Sequence, residues 1–439
     1  MMGVFFGTDG LRGVVNEDLT HEVAYKCGSA LTTLTKAPLV IIGRDTRVSG
    51  EYLTASLACG VMGGGGRAVD LGVIPTAGVA YLTRALGADY GVVISASHNP
   101  PEYNGIKVFD KNGYKLSDTE EERIERTFIP TRPSASVDLG GFRAEHSLIR
   151  KYESFLISSC ECALDGMRIV LDTADGAASR VAPRVLRRLG ASVTAISARG
   201  DGRRINQSSG ALHPERLARE VVRRGADVGF AFDGDADRLI AVDDGGRIVD
   251  GDMIIYMLAR YMKERGVLKK NTVVGTSHTN MGIERSLADC GITLLRTDIG
   301  DKYVLERLEH DGLSLGGEQS GHIILKDIHT TGDGILSAIA VASMMKDTGG
   351  TLRELFDAEL YPQTNINVVV SDKMRIMKSA LLSDTIDRIQ SLLSGTGRVM
   401  VRASGTEPKI RIMVESPSEE INRAYSEELA SVVRELEGS

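Results

Sequence analysis

The 439-residue sequence contains only five cysteines: Cys27, Cys59, Cys160, Cys162 and Cys290. Their odd number excludes a fully paired disulfide framework, and their spacing fits neither a zinc site nor a redox C-x-x-C. Reduced thiols and a cytoplasmic setting are therefore expected. No apolar run approaches the roughly 18 to 20 residues that a helical bilayer span needs. The opening "MMGVFFGTDGLRG" lacks the basic region and long apolar core of a secretory signal. Positive charge is not in excess: 52 Lys and Arg against 59 Asp and Glu leave a net charge of -7. That balance offers no electrostatic footprint for nucleic acid or an anionic membrane. The basic pairs Arg187-Arg188 and Arg223-Arg224 fall in helical patterns and read as solvated faces.

What is present describes a globular protein, with 42% hydrophobic and 25% charged residues. The length suggests roughly two to four domains. Short apolar strands alternate with helical stretches. "PLVIIG" (38–43), "RAVDLG" (67–72) and "DYGVVIS" (89–95) are separated by helical patterns near 49–62 and 76–86. The same grammar returns in "MRIVLD" (167–172), "SVTAI" (192–196) and "DVGFAFD" (227–233), and again in "NTVVGT" (271–276), "ITLLR" (292–296) and "LSLGGE" (313–318). This pattern predicts an α/β fold of three related modules with mixed, mainly parallel sheets covered on both faces. The C-terminal run differs: "NINVVV" (365–370), a helical stretch (378–393), "RVMVR" (398–402), "KIRIMVE" (409–415) and a helix from about Ser418 predict a small α+β domain. The expected domains are 1–145, 146–245, 246–361 and 362–439, with "IPTRPSASVD" (129–138) as an exposed connection.

The modules also repeat in letters. "GADYGVVISASHNP" from Gly87 overlays "GADVGFAFDGDADR" from Gly225 and sets Ser97 on Asp235; the third module matches less well. Ligands of open α/β sheets bind beyond the carboxyl ends of the strands. One loop from each module is thus expected to meet in a central cleft.

Each loop has a chemistry and a plainer alternative. "DGDADR" carries Asp233, Asp235 and Asp237 at alternate positions. In an extended loop, period two sends three carboxylates to one side. Clustered like charges call for a cation, and hard oxygen ligands suit Mg²⁺. Asp/Gly stretches also occur as solvated turns, but a position directly after "VGFAF" favours the metal. "GGEQSGH" offers Glu318, Gln319, Ser320 and His322, either to grip sugar hydroxyls or to cap the helix predicted in "TTGDGILSAI" (330–339). "RASGTEPKIR" places Arg402, Ser404, Gly405, Thr406, Lys409 and Arg411 around a turn, as a phosphate nest or an ordinary hairpin. "GTDGLRG", with Asp9 and Arg12, and "GRDTRVSG", with Arg44 and Arg47, add glycines and arginines near the first module.

These loops decide between a turn residue, a hydrolase nucleophile and a group carrier at Ser97. A serine hydrolase would place its serine in a G-x-S-x-G elbow, whereas Ser97 stands in "ISASHNP". A serine facing a Mg²⁺ site and a phosphate nest is suited to carry a phosphoryl group, whose charge of about -1.5 to -2 the metal offsets.

Taken together, "SASHNP", "DGDADR", "GEQSGH" and "RASGTEPKIR" resemble the α-D-phosphohexomutases over nearly the whole chain. The resemblance implies four domains around a cleft, phosphoserine at Ser97, and one Mg²⁺ held by that phosphate with Asp233, Asp235 and Asp237. It implies that Arg12 and Arg238 hold phosphate, that His98 supports the serine loop, and that Lys107 transfers protons. A surface lysine is the alternative for Lys107. Glu318 and Ser320 would bind sugar hydroxyls, with His322 close to the transferring oxygen. Arg402, Ser404, Gly405, Thr406 and Arg411 would clamp the non-reacting phosphate, and the fourth domain would close over the cleft. Gln319 in "GEQSGH" and the run "SGTEP" are similar to the glucosamine branch. The implied reaction is glucosamine 6-phosphate to glucosamine 1-phosphate through a 1,6-bisphosphate, which also primes Ser97 as activator. Glucose and mannose phosphates are the alternative substrates. The partners expected are the sugar phosphate and a second copy in a homodimer. Two competing readings are a phosphatase with Asp233 as nucleophile and Asp235 as acid, and a non-catalytic sugar-phosphate sensor.

Overall fold

The computed structural model describes residues 6–7, 10–128, 138–393, 395–404 and 407–438. The connection expected at 129–138 lies outside them except for Asp138. The chain forms two compact units, Met1–His278 with Ile292–Asp357, and Thr279–Gly291 with Ala358–Ser439.

The first unit repeats one sheet plan in each module. In the first module, Leu39–Arg44 runs parallel to both Arg67–Val73 and Tyr90–Ile94, and Tyr103–Phe109 pairs antiparallel with Tyr90–Ile94. In the second, Arg168–Asp172 lies between the parallel strands Ser192–Ile196 and Val228–Phe232, and Leu239–Asp243 closes antiparallel on the latter. In the third, Thr272–Thr276 lies between Thr293–Thr297 and Leu315–Gly317, with Ile323–Leu325 antiparallel. The parallel strands fall where the apolar runs predict them. Val228–Phe232 and Leu239–Asp243 are buried along their whole length, as strands covered on both faces must be.

The antiparallel strands did not stand out in the apolar pattern. Tyr103–Phe109 contains buried Asn104 and Lys107, and Ile323–Leu325 has only 3 residues. Two glycines per module extend the repeat into the third. Gly87, Gly225 and Gly312 end the helices before the last parallel strands, with left-handed φ of 62°, 57° and 62°. Four residues on, Gly91, Gly229 and Gly316 let the helix sit close. A Cβ there would meet Thr83 Oγ1 at 2.1 Å, Val221 Cγ2 at 2.6 Å and Val304 Cγ1 at 3.0 Å, respectively. In the first module, Val40, Ile42, Val92, Ile94 and Ile106 pack on Leu31, Leu53 and Leu57.

The second unit is an antiparallel sheet, Gln363–Val369, Lys409–Glu415 and Arg398–Ala403, with Lys409–Glu415 central. Its core joins Ile410, Ile412 and Val414 to Ile389 of the helix Ala380–Leu393 and to Leu429 and Val433 of Glu419–Gly438. The segment Thr279–Gly291 is tied in by polar contacts. Fully buried Glu415 accepts from Met281 N–H (2.9 Å) and pairs with Arg398 (2.5 Å), which donates to Thr279 O (2.8 Å). Among the described residues no helix is long and apolar enough to cross a membrane, and the five cysteines are free.

Candidate active site

The loops expected to carry the chemistry are the three hairpin turns between a last parallel strand and its antiparallel partner. "SASHNP" joins Tyr90–Ile94 to Tyr103–Phe109, "DGDADR" joins Val228–Phe232 to Leu239–Asp243, and "GEQSGH" joins Leu315–Gly317 to Ile323–Leu325. The helix-cap alternative for "GEQSGH" does not hold. Asp333 caps the helix Gly334–Thr348, accepting from Ile335 and Leu336 N–H at 3.0 Å each.

Ser97 is 1% exposed and holds a left-handed φ of 50°, a conformation uncommon outside glycine. Its Oγ donates to Asp233 Oδ2 at 2.7 Å and lies 3.3 Å from His98 Nδ1. Its N–H donates to Ser95 Oγ (2.9 Å), and Ser95 Oγ donates to Asp45 Oδ2 (2.6 Å). Burial, then the charges of Arg238 and Arg12, push His98 down to about 4. His98 is therefore neutral beside the serine at neutral pH. Arg12 lies on the strand Gly10–Val14 opposite Gly105; Asp9 lies outside the described residues.

The three aspartates converge, each with an oxygen within 4.8 Å of the others, and exposure is 1% at Asp233, 0% at Asp235 and 4% at Asp237. The route differs from the extended loop expected. The segment is a turn closed by Ala236 N–H on Asp233 O (3.1 Å), with Ala236 left-handed at φ 60°. Gly234 lets this turn meet the serine loop, since a Cβ there would stand 2.5 Å from Ser97 O.

Lys107 is 2% exposed, so it is not a surface lysine. Its Nζ lies 3.2 Å from Asp235 Oδ2 and 3.6 Å from Asp237 Oδ2. Burial, then the charges of Asp237 and Asp235, hold the Asp233 carboxyl well above the ordinary range. At Asp237 burial acts upward, but Lys107 and His322 pull it well below that range. Asp235 Oδ1 and Asp237 Oδ1 are buried and make no hydrogen bond among the described residues. Three clustered buried carboxylates, two of them sharing one lysine and each of those two keeping an orphaned oxygen, fit a divalent cation with oxygen ligands.

Arg238 N–H donates to Asp233 Oδ1 at 3.2 Å. His322, 3% exposed, stands between two carboxylates: Nδ1 is 3.7 Å from Asp237 Oδ2 and Nε2 is 3.6 Å from Asp301 Oδ2. Glu318 accepts from Gly300 N–H (3.0 Å) and from Ser320 Oγ (3.4 Å). Gln319 turns its Nε2 to Asp250 Oδ2 (3.2 Å), and Asp250 caps the helix Gly251–Glu264, so this amide nitrogen anchors the loop to a helix start.

The remaining predicted residues lie in the second unit. Arg402 and Arg411 face each other across neighbouring antiparallel strands, and Arg411 is paired with Glu407 at 3.1 Å. Burial and the charge of Arg411 lower the Arg402 pKa. Ser404 is buried, and its carbonyl accepts from Lys373 Nζ at 2.5 Å. Gly405 and Thr406 lie outside the described residues.

Several participants were given no role in the sequence, Arg47 being named only among the arginines near the first module. Arg47, paired with Asp45 at 2.9 Å, donates to the carbonyls of Ser97 (3.0 Å), Asn99 (2.8 Å), Tyr103 (2.8 Å) and Pro100. Asn206 Nδ2 reaches Ser97 O (2.8 Å) from the second module. Thr76 and Asp301 contact predicted residues, and Lys373 braces the Ser404 turn.

This architecture is a phosphohexomutase fold. Models of the phosphoglucomutase/phosphomannomutase alpha/beta/alpha domains I, II and III match residues 3–132, 150–246 and 250–362, and that of the C-terminal domain matches 366–432. The chain belongs to the phosphoglucomutase/phosphomannomutase family, and its enzyme class is isomerase. It is 46% identical over 447 residues to phosphoglucosamine mutase of Shouchella clausii, covering 100% of both chains. It is 47% identical over 444 residues to that of Geobacillus thermodenitrificans, covering 99% of each. Among solved structures, a family protein from Burkholderia thailandensis matches with a TM-score of 0.83 at 22% identity, covering 98% of this chain and 97% of that one. The Aspergillus fumigatus N-acetylphosphoglucosamine mutase, solved with GlcNAc-6P and magnesium, matches at 0.69 and 17% identity, covering 99% and 96%.

Proposed function

We propose that the protein interconverts glucosamine 6-phosphate and glucosamine 1-phosphate through phosphoserine at Ser97 and a bound 1,6-bisphosphate. The observation that carries the chemistry is the buried Ser97 hydroxyl on Asp233, with Lys107 shared by the two other aspartates. The full-length relatives named phosphoglucosamine mutase support the substrate. In the forward half-reaction the bond from phosphorus to Ser97 Oγ breaks as one forms to the sugar 1-oxygen. The proton of that hydroxyl ends on Ser97 Oγ. The second half returns the 6-phosphoryl group to Ser97 and the proton to the 6-oxygen. Lys107 is the proposed proton carrier, and His322 the group beside the reacting sugar oxygen. Arg12 and Arg238 would hold phosphate, and Glu318 and Ser320 sugar hydroxyls. Arg402, Ser404 and Arg411, with Gly405 and Thr406, would hold the phosphate that is not reacting. Positioning and charge stabilisation supply most of the rate in such transfers. The four-domain division at 145, 246 and 362 is part of this reading, and the four family matches support it.

Asp233, Asp235 and Asp237 would hold one Mg²⁺, which supplies charge neutralisation for the phosphoryl oxygens. Chelation is expected to abolish turnover and added Mg²⁺ to restore it. Asp235→Asn should behave like the chelated protein, and Glu420→Gln like wild type. Full turnover in a preparation verified as metal-free by elemental analysis would refute the metal reading. A phosphatase with Asp233 as nucleophile fits less well, because both of its oxygens are engaged, by Ser97 Oγ and by Arg238 N–H.

Substrate choice is tested by kcat/KM on the 6-phosphates of glucosamine, glucose and mannose. Glucosamine 6-phosphate is expected to be preferred by at least roughly tenfold, the low end of what a single small group's difference supplies in a binding pocket. A preference for glucose or mannose phosphate would overturn the specificity and leave the mutase chemistry standing.

A further inference from the structure

Three successive carbonyls of the aspartate turn are each held by a helix N-terminus, one from each module. Ala177, before the helix Ala178–Arg188, donates its N–H to Gly234 O at 2.8 Å. Thr76, first residue of Thr76–Leu86, donates to Asp235 O at 3.0 Å. Gly334, first residue of Gly334–Thr348, donates to Ala236 O at 3.0 Å. The positive ends of three helix dipoles therefore converge on the segment that carries the carboxylates.

Only Thr76 adds a hydrogen-bonding side chain to this collar. Its Oγ1 donates to Asp235 Oδ2 at 2.7 Å, the oxygen that Lys107 Nζ also approaches at 3.2 Å. Thr76 and Asp235 are both 0% exposed, so no water competes for the bond. Two donors on Oδ2 fix the rotation of the carboxylate and leave Oδ1 as the oxygen without a hydrogen bond. A hydroxyl outside the ligand set that turns a ligand's free oxygen toward an ion is worth roughly 10- to 100-fold in metal affinity.

We infer that Thr76 is a positioning residue for the metal site, its hydroxyl selecting Asp235 Oδ1 as the oxygen offered to a divalent cation. The inference rests on the reading that the three aspartates bind such an ion. It is tested with Mn²⁺ alone, by electron paramagnetic resonance of the free ion, on chelator-treated full-length protein matched for phosphorylation by intact mass. Wild type should bind one Mn²⁺ per chain and Asp235→Asn should not; absence of that binding in wild type would sink the aspartate reading itself. Thr76→Val, which keeps the shape and removes the hydroxyl, should weaken binding roughly 10- to 100-fold, while Thr76→Ser stays within about threefold of wild type. Thr76→Ala guards against misfolding of the valine variant, and metal-free melting curves record the fold of each. Wild-type affinity in Thr76→Val and Thr76→Ala overturns the inference. So does a Thr76→Ser protein as weak as Thr76→Val, because the loss would then come from packing.

Discussion

Ser97→Ala is expected to fold like wild type and to lose about 10³-fold or more in kcat, the scale of removing a covalent group carrier. The side chain leaves a turn and not the packed core, so little volume is lost. The backbone around it does not depend on the hydroxyl. Ser97 O is held by Arg47 and Asn206, and Ser97 N–H by Ser95 Oγ. The hydroxyl's own bond goes to Asp233, whose carboxyl is already held above its ordinary range by burial and like charges, so losing one donor raises it further without emptying the site. Intact-protein mass spectrometry should find one phosphate on the wild type and none on the variant. Wild-type-like turnover, or a phosphate retained elsewhere on the chain, would sink the carrier assignment.

The three loops of the first unit were legible because their chemistry is written in side chains: a serine, three aspartates and a glutamate with a histidine. The turn of the aspartate loop was not, because the left-handed Ala236 carries no letter that announces it. A period-two reading brought the same three residues together by a geometry the chain does not use. The "GEQSGH" loop was ambiguous for a similar reason. Polar residues before a helix resemble a cap, and only the pairing of Gly317 with Ile323 shows a hairpin, with Asp333 doing the capping. Thr76 in "PTAGVA" reads as an ordinary helix start, since its partner lies 159 residues away. Where the recognised groups are backbone carbonyls, sequence leaves no trace at all. Arg47 is the clearest case, one of several arginines in glycine-rich loops until the serine turn closes around it.

Arg47→Met is therefore expected to be among the most damaging single changes in the first module, costing about 3–5 kcal/mol, the range for breaking a buried charge network from one side. The guanidinium is completely buried against Asp45, also completely buried. Its donors go to Asp45 and to the carbonyls of Ser97, Asn99, Pro100 and Tyr103, so one side chain closes the serine turn from inside. Methionine fills most of the space and satisfies none of these acceptors, each of which then carries its desolvation cost unpaired. Asp45 adds to the loss. Burial already raises its pKa, and Arg47 is the largest influence holding it down, so removing the arginine leaves a carboxyl that must take up a proton to stay inside. Arg47→Lys should recover little, because a single ammonium cannot imitate a planar fork aimed at acceptors on several sides. The denaturant midpoint of the earliest unfolding transition should fall in both variants. Proteolysis should begin near the 97–103 turn, and the phosphate content of Ser97 should drop even in the protein that remains folded. An Arg47→Met protein with wild-type midpoint and full phosphoserine would show that the turn holds its shape without the arginine, leaving Asn206 and Ser95 as its sufficient supports.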